Sequence, residues 1–542
     1  MSDLVRVGDP VRRASGDRSL RRALIALLVV TAACYAALAA AGFVWDDKPL
    51  VVDNTVTDSL ANVPAFFTLD LWQTAGGVES DSGYYRPLML LSLALDRAMW
   101  GLSPAGHHLH SVAWHLLAVG LLAVLLRECV PAVPAIAGAT LFALHPVQSE
   151  AVAWVAARND LMVAALVFGS VLALKRQKLV LGGVLALAAL LSKESGVFAL
   201  ALLLAVQRGR ASPKQVLALG LAGLGWLGLR NGVAGIGGAS VPGQAELSFL
   251  GGLLPDVGAH FGGLLLRGGP LSVGATLEYI DVGLPVVVVV WGLGLGLSGL
   301  MLWRGRGLAL GGLLFALLAL APAVLAIAVR GQLGERYLYM PLAGLALAVA
   351  SAVPSTRTTS VFTVVLGLVS AVMVGQRVPD WTNDLTLWNA AAQTTPNGFS
   401  HASLGHEVNL RSSGTESCAL FREALEADPP YIDVCTQAVR CALKRGDLNE
   451  AALGADLTSR VCPATPQQVG LEGMVWLQRC EVDRIPPRSN GVDDLNDARL
   501  PLVLAVLARR HGDTEGYGRI RASVPDPASF DGQVDTLLGM CP

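Results

Sequence analysis

Long apolar stretches separated by short polar connections fill residues 23–377 of this 542-residue chain, and residues 378–542 then alternate like an ordinary soluble domain. A membrane-spanning helix needs roughly 20 apolar residues, and the apolar pattern predicts about eleven spans. They lie near 23–44, 108–126, 131–146, 160–174, 179–193, 196–207, 214–230, 286–303, 307–328, 337–353 and 360–376. The pair around Ser192–Gly196 is short enough to form one broken unit.

The positions of basic residues predict the orientation of these spans across the membrane. The polar segment 1–22 is rich in arginine, and the apolar run after it is too long for a cleaved signal peptide. Arginine and lysine clusters favour the cytoplasmic side. The clusters are Lys175/Arg176/Lys178, Arg208/Arg210/Lys214, Arg304/Arg306 and Arg357. Eleven spans from a cytoplasmic N-terminus satisfy all of them if 249–267 is re-entrant or interfacial, and the C-terminal domain then lies outside.

The C-terminal domain, 378–542, is predicted to be helical. Residues 418–427 carry apolar positions at helical spacing, and Asp428-Pro429-Pro430 ends that helix. Two further helices, 431–444 and 448–461, flank a turn. Paired helices of this length resemble degenerate tetratricopeptide repeats, whose period is 34 residues.

Six of the eight cysteines fall in this C-terminal domain: Cys418, Cys435, Cys441, Cys462, Cys480 and Cys541. Their spacing matches no zinc-binding template. A cluster of cysteines in one small domain indicates an oxidising compartment and disulfides, and the alternative is a set of buried free thiols.

Composition narrows the function classes. Apolar residues make up 53% of the chain and charged residues only 15%, against about 25% charged residues in soluble domains. The net charge of −2 provides no basic field for nucleic acid. The chain is therefore predicted to be an all-α, polytopic membrane helix bundle with a helical C-terminal domain.

The first external loop, about 45–107, opens with two adjacent carboxylates, Asp46 and Asp47. One carboxylate can deprotonate an acceptor hydroxyl, and the field of its neighbour raises its proton affinity. The alternative is a solvated turn before Pro49. The same loop contains Arg86, which is a candidate ligand for phosphate.

Histidines follow at the start of the second predicted span. His108, Ser111 and His115 share one helix face. They can bind a sugar or phosphate, hold a divalent metal, or simply pack at the interface, so the sequence leaves metal dependence open. His145 begins a further polar block and is a candidate for the same site.

Several more charged residues are predicted at the outer face. Glu150, Trp154 and Arg158 are predicted to share a helical face, and Lys193-Glu194 interrupts an apolar hairpin. The cations Arg86, Arg158, Lys193 and Arg336 would then converge on one side, as a lipid phosphate requires. The alternative for Lys193 and Glu194 is a polar turn at the interface.

The order of these motifs carries a resemblance. FVWDDKP, YYRPL, GHHLHSVAWH, LFALHPVQSEAVAWVAARND, LSKESG, GERYLYMP and RVPDWTND follow one another before helical repeats. Over roughly residues 40–425 the chain resembles the transmembrane and tetratricopeptide-repeat O-mannosyltransferases and their bacterial relatives, of the GT-C class of glycosyltransferases.

The resemblance implies a polyprenyl- or dolichyl-phosphate sugar donor, an acidic doublet in the first external loop and an external repeat domain. The doublet matches Asp46 and Asp47. An HP-x-x-x-E block matches His145, Pro146 and Glu150, and an ERxLYxP block matches Glu335, Arg336 and Tyr339. The C-terminal domain departs from the family, whose repeat arrays are long and regular, and this puts the acceptor in question.

The leading hypothesis is a membrane glycosyltransferase that moves one sugar from a lipid phosphate to a hydroxyl on a protein or glycan. Membrane lipid is the other expected partner. The alternatives are a non-catalytic membrane scaffold with partner-binding repeats and a polyprenyl-phosphate carrier or flippase. The composition, rich in alanine, glycine and leucine, favours a bacterial inner membrane with the C-terminal domain in the periplasm.

Overall fold

The computed structural model describes residues 10–76, 83–233, 260–265, 275–276, 307–330, 332–411, 416–427, 430–463, 465–479, 481, 499–510, 512–524 and 526–540. The chain divides into two compact units, Met1–Leu387 and Trp388–Pro542. The described residues are almost wholly helical, apart from two short antiparallel strands, Ala275–Thr276 and Gln332–Leu333. The predicted all-α class is confirmed.

The first unit contains the apolar helices. Its described α-helices are α1 Pro10–Cys34, α2 Val63–Phe66, α3 Pro87–Trp100, α4 Pro104–Arg127, α5 Ala132–Leu144, α6 Gln148–Ala153, α7 Arg158–Lys175, α8 Leu179–Ser192, α9 Ala199–Val206, α10 Pro213–Leu227, α11 Gly307–Arg330, α12 Tyr339–Ala352 and α13 Arg357–Arg377.

Within the described residues, four helical stretches are long and apolar enough to cross a membrane: Leu20–Ala40, Pro104–Arg127, Val155–Lys175 and Arg357–Trp381. Shorter apolar helices occupy Ala132–Leu144, Leu179–Ser192, Glu194–Val206 and Gly307–Ala321. Helices occupy every predicted span except 286–303, which lies outside the described residues, as does most of 249–267. The chain is a membrane protein, and the eleven-span topology stays a prediction.

Small residues bring some of these helices into close contact. A Cβ added at Gly312 of α11 would lie 2.6 Å from the carbonyl oxygen of Gly344, and one at Gly344 of α12 would lie 2.5 Å from the carbonyl oxygen of Gly312. Membrane helices associate through such small residues, because lipid supplies no hydrophobic force between them. The glycine-rich composition therefore serves backbone packing here.

The predicted break near Ser192–Gly196 is confirmed. Helix α8 ends at Ser192, Lys193 adopts an extended conformation, and the 3₁₀ helix Glu194–Phe198 leads into α9. A Cβ at Gly196 would lie 2.6 Å from the backbone nitrogen of Leu190. The chain can therefore double back this tightly only with glycine at that position.

The prediction that Glu150, Trp154 and Arg158 share one helical face is wrong. Helix α6 ends at Ala153, Trp154 is extended, and a 3₁₀ turn separates it from α7. In a continuous helix the backbone N–H of Ala156 would bond to the carbonyl four residues earlier. It donates instead to the side chain of Asp47, so a tertiary bond replaces a helical one.

The second unit is a series of short helices after α14 (Asp384–Thr394), which begins in the first unit. They are α15 Gly398–Arg411, α16 Glu416–Glu426, α17 Cys435–Arg445, α18 Leu448–Val461, α19 Pro466–Gln478, α20 Arg499–Arg510, α21 Thr514–Ser523 and α22 Pro527–Met540. The helix pair predicted at 431–461 is confirmed as α17 and α18, which meet at Gly446 (φ +71°). The assignment to tetratricopeptide repeats stays a prediction.

Among the described residues of the second unit, two disulfides connect neighbouring helical segments, so the prediction of disulfides is confirmed. Cys418 pairs with Cys441, and Cys435 pairs with Cys462. All four cysteines lie in the hydrophobic core of the unit, which also contains Phe421, Val439, Trp476 and Val503. Cys480 and Cys541 lie outside the described residues.

Candidate functional site

Asp47 is the best-anchored residue of the acidic doublet. Its side chain is completely buried. One carboxylate oxygen accepts the backbone N–H of Ala156 at 2.7 Å, and the other accepts the backbone N–H of Val44 at 3.2 Å. Asp46 is only partly buried. The doublet therefore has one carboxylate fixed inside the protein and one closer to the surface.

Burial also changes the acidity of the doublet. Removal from water raises the pKa of Asp47 to about 8. The two backbone N–H groups oppose this shift, the charge of Asp46 adds to it and the charge of Arg158 opposes it. The carboxylate of Asp384 pairs with Lys48, so the lysine beside the doublet has a partner of its own.

An aromatic stack supports the loop that carries the doublet. The ring of Trp45 lies parallel to the ring of Trp154, with centroids 4.6 Å apart and planes 4° apart. Trp45 has a φ of +50°, a left-handed conformation that costs a non-glycine residue about 1–2 kcal/mol. The backbone turn directly before Asp46 is therefore strained and held by tertiary contacts.

Glu150 and Arg336 form a buried ion pair beside this stack. The two side chains meet at 2.5 Å, and Glu150 also accepts the backbone N–H of Glu335 at 2.8 Å. The guanidinium of Arg336 lies 4.9 Å from the ring centroid of Trp154, within the range of a cation–π interaction. The neighbouring Glu335 pairs with Arg377 at 2.5 Å.

Two further ion pairs complete a charged cluster. Arg86 pairs with Glu194 at 3.0 Å, and Lys193 pairs with Asp160 at 2.5 Å. The charges of Arg86 and Arg336 both act on Lys193. The structure thus brings together three of the four predicted cations, and each keeps part of its side chain exposed: 11% for Arg86, 15% for Lys193 and 18% for Arg336. We call Arg86, Lys193 and Arg336 the cation cluster.

Arg158 does not join the cation cluster. Its side chain is completely buried, and it pairs with Asp96 at 2.5 Å. Its other donors bond to Ser111 at 3.0 Å, Ser92 at 3.1 Å and the carbonyl of His107 at 2.7 Å. A guanidinium with these partners serves to hold helices together, and a phosphate would have to displace them to reach it.

The predicted histidines bond mainly to the backbone. A ring nitrogen of His108 lies 3.1 Å from the carbonyl oxygen of Gly42, and one of His145 lies 3.0 Å from the carbonyl oxygen of Leu265. His115 contacts the hydroxyl of Tyr339 at 2.7 Å. In the part of the chain that the structure describes, no group of three or more His, Cys, Asp or Glu side chains is arranged to hold a metal.

Sequence reasoning missed three of the residues that shape this site. Asp96 is a single carboxylate within the apolar run of α3, which is a signal for a buried partner. Trp45 gave no sign of its left-handed backbone. Asp384 lies in the quoted segment RVPDWTND, but the segment alone assigns it no contact.

Part of this chain is similar in sequence to proteins described as O-mannosyl-transferases. The chain is 34% identical to protein O-mannosyl-transferase Tmtc1 of Drosophila melanogaster over 140 residues, which is 26% of this chain and 16% of that protein. It is 28% identical to protein O-mannosyl-transferase TMTC3 of Mus musculus over 152 residues, which is 28% of this chain and 16% of that protein. The chain spans about a sixth of the length of these curated relatives.

Two other comparisons contribute less. No family model matches the chain. A crystal structure of ArnT from Cupriavidus metallidurans bound to undecaprenyl phosphate aligns with 84% of this chain and 80% of its own, at 13% identity and a TM-score of 0.36. At that score the alignment is too distant to establish a common fold or site.

Proposed function

We propose that this protein is a membrane glycosyltransferase that transfers a sugar, a mannose-like hexose, from a polyprenyl- or dolichyl-phosphate donor to a hydroxyl on a protein or glycan. The acidic doublet, Asp46 and Asp47, supports this most directly. Its loop contacts the segment 150–158 through Trp154 and Ala156. Arg336 of the cation cluster contacts the same segment through Glu150. The relatives that match this chain are O-mannosyl-transferases.

The cation cluster would bind the phosphate of the donor. Arginine presents a planar set of donors that matches phosphate, and lysine supplies a point charge. Each cation already has a carboxylate partner, namely Glu194, Asp160 or Glu150. The site is therefore near neutral without the donor, which limits the cost of three cations lying so close together.

Asp46 would be the base. In an inverting transfer the acceptor oxygen attacks the anomeric carbon, the bond from that carbon to the phosphate oxygen breaks, and the acceptor proton passes to a carboxylate. Asp46 is the member of the doublet with an exposed portion. Both oxygens of Asp47 accept backbone N–H groups, so Asp47 would fix the backbone of the loop and thereby orient Asp46.

The predicted topology determines on which side of the membrane the reaction would take place. The first external loop and the second unit would both lie outside, and in a bacterial cell this side of the inner membrane is the periplasm. Disulfides in the second unit suit that oxidising side. The second unit would then be available to bind the acceptor.

The test is the transfer of radiolabelled mannose from undecaprenyl-phosphate mannose in membranes that contain the full chain. Asp46→Asn keeps the shape of the side chain but cannot take a proton, and we expect transfer to fall by about 10²–10⁴. Asp47→Asn should reduce transfer less. Asp53→Asn, an exposed carboxylate of the same loop, is the matched control and should keep wild-type transfer.

The remaining outcomes separate the hypotheses. Near-wild-type transfer by both Asp46→Asn and Asp47→Asn would show that the doublet is a structural turn. Loss of transfer in Asp47→Asn alone would make Asp47 the base and Asp46 the orienting residue. Absence of transfer by the wild-type chain from undecaprenyl-phosphate mannose, glucose or galactose would favour a scaffold or a lipid carrier.

A further inference from the structure

We propose that Asp384 is a positioning residue that holds the loop of the acidic doublet in its working conformation. One oxygen of Asp384 accepts the backbone N–H of Trp45 at 2.7 Å, and the other pairs with the ammonium group of Lys48. One carboxylate thus binds the residue before the doublet and the residue after it. This inference rests on the proposed role of Asp46 and Asp47.

The strain at Trp45 explains why such a contact is needed. Its φ of +50° is unfavourable for a residue with a bulky side chain, and strained conformations persist only where the surroundings fix them. The hydrogen bond from Trp45 to Asp384 fixes the backbone, and the stacking on Trp154 fixes the ring. Without Asp384 the loop would relax toward a conformation that points Asp46 elsewhere.

Asp384 is itself held firmly. It is the first residue of α14 and is almost fully buried, with 4% of the residue exposed. The side chain of Asn383 accepts the backbone N–H of Thr386 at 3.1 Å, and Thr386 accepts the backbone N–H of Asn383 at 3.2 Å. This reciprocal cap fixes the first turn of the helix, and a carboxylate is favoured there by the helix dipole.

A second contact from the same segment reaches the same loop. The backbone N–H of Gly42 donates to the carbonyl oxygen of Thr382 at 2.8 Å. The ring of Trp381 lies 6.3 Å from that of Trp154, on which Trp45 is stacked. The segment 381–384 therefore contacts the doublet loop at Gly42, Trp45 and Lys48, and only Asp384 does so with a charge.

The first measurement does not depend on activity. Hydrogen–deuterium exchange of the full chain in nanodiscs should show slow exchange at the amide of Trp45, and Asp384→Ala should accelerate it at least tenfold while helices α4 and α7 stay protected. Asp384→Asn keeps an oxygen that can accept the Trp45 amide and should exchange at an intermediate rate. Asp380→Asn, a half-buried carboxylate in the field of Arg377, is the control and should exchange like wild type.

The second measurement is kinetic. With undecaprenyl-phosphate mannose, Asp384→Ala should lower kcat at least tenfold and leave the KM for the donor within twofold, because the cation cluster is untouched. Asp384→Asn should recover part of kcat. A general loss of folding would lower the concentration of active protein and therefore the apparent kcat, with KM unchanged. We therefore calculate kcat per folded protein, with the folded amount in the membrane measured for each variant.

Two results would overturn the inference. Unchanged exchange at Trp45 in Asp384→Ala would show that the carboxylate does not hold the loop. Faster exchange with an unchanged kcat would show that it holds the loop but not a working conformation. If wild-type protein transfers no sugar while exchange responds to Asp384→Ala, the proposed function fails and the exchange result still establishes the loop contact.

Discussion

The carboxylate of Glu150 and the guanidinium of Arg336 meet at 2.5 Å, although the two residues lie 186 positions apart in the chain. Glu150 is completely buried, and Arg336 keeps 18% of its side chain exposed. Arg336 is therefore partly exposed to solvent, and its carboxylate partner is completely buried. Two of the following predictions test this relationship.

Gly334→Ala should displace the guanidinium of Arg336 without unfolding the protein. An added Cβ would lie 2.4 Å from a terminal nitrogen of Arg336 and 3.0 Å from a carboxylate oxygen of Glu150. The guanidinium is the end of a flexible side chain and can move away from the added methyl group. We therefore expect the substitution to weaken binding of the donor more than it lowers the stability of the fold. A lost charge-assisted hydrogen bond corresponds to about 1.5–3 kcal/mol, and we expect the KM for undecaprenyl-phosphate mannose to rise by about 10–100-fold.

Gly375→Ala is the control for that variant, because a Cβ at Gly375 would meet no atom within 4 Å. Its KM should match wild type. Equal KM values for the two variants would remove Arg336 from the donor site.

Glu150→Ala should destabilise the first unit. Breaking a buried ion pair from one side leaves the other charge without a partner and costs about 3–5 kcal/mol. We expect the lower end of this range, since Arg336 is partly exposed. Glu150→Gln keeps a hydrogen-bond acceptor and should cost less. Thermal unfolding in detergent measures the loss, and the Glu150→Ala/Arg336→Ala double variant should recover part of it; a purely additive double variant would contradict the coupling.

The stability of wild type relative to Asp47→Asn should depend on pH. The pKa of Asp47 in the folded protein is about 8, whereas an aspartate in an unfolded chain has a pKa near 3.9. A raised folded pKa contributes stability that is fully present below the unfolded pKa and is lost as pH rises through the folded pKa. The difference in Tm, wild type minus Asp47→Asn, should therefore fall between about pH 4 and pH 8. Parallel Tm curves over this range would argue against the raised pKa.

The two disulfides should account for much of the stability of the second unit. They are separated by 23 and 27 residues in sequence, and closing loops of this length stabilises a fold by about 3 kcal/mol each. The Cys435→Ser/Cys462→Ser double variant should lower the free energy of unfolding of this unit by about that amount. Mass spectrometry without reduction should recover both cross-linked peptide pairs, and four alkylated thiols at these positions would contradict the pairing.

Reporter fusions test the predicted topology. The basic cluster at Lys175–Lys178 should be cytoplasmic, and the C-terminus should lie outside. A fusion after Lys178 and a fusion after Pro542 should therefore report opposite sides of the membrane. The same side for both would break the eleven-span arrangement and would also move the second unit to the wrong face for an oxidising compartment.

The sequence by itself determined the class of the protein and much of its local structure. Long apolar runs can cross a bilayer only as helices, because every backbone polar group needs a partner within the segment. The break after Ser192 and the end of the helix at Glu426 were also predictable, because each depends on residues that are close in sequence. The resemblance implied a role for the acidic doublet, and the predicted topology grouped the cations on the same side.

Only the tertiary structure showed which of the predicted cations are fully buried and which keep an exposed portion. Four cations looked equivalent in sequence, yet Arg158 is buried against Asp96 while Arg86, Lys193 and Arg336 keep an exposed portion. The sequence pattern also did not predict the turn at Trp154 or the contact of Asp384 with Trp45. Each depends on a partner tens to hundreds of positions away, and no periodicity in the chain encodes a contact between residues that only packing brings together.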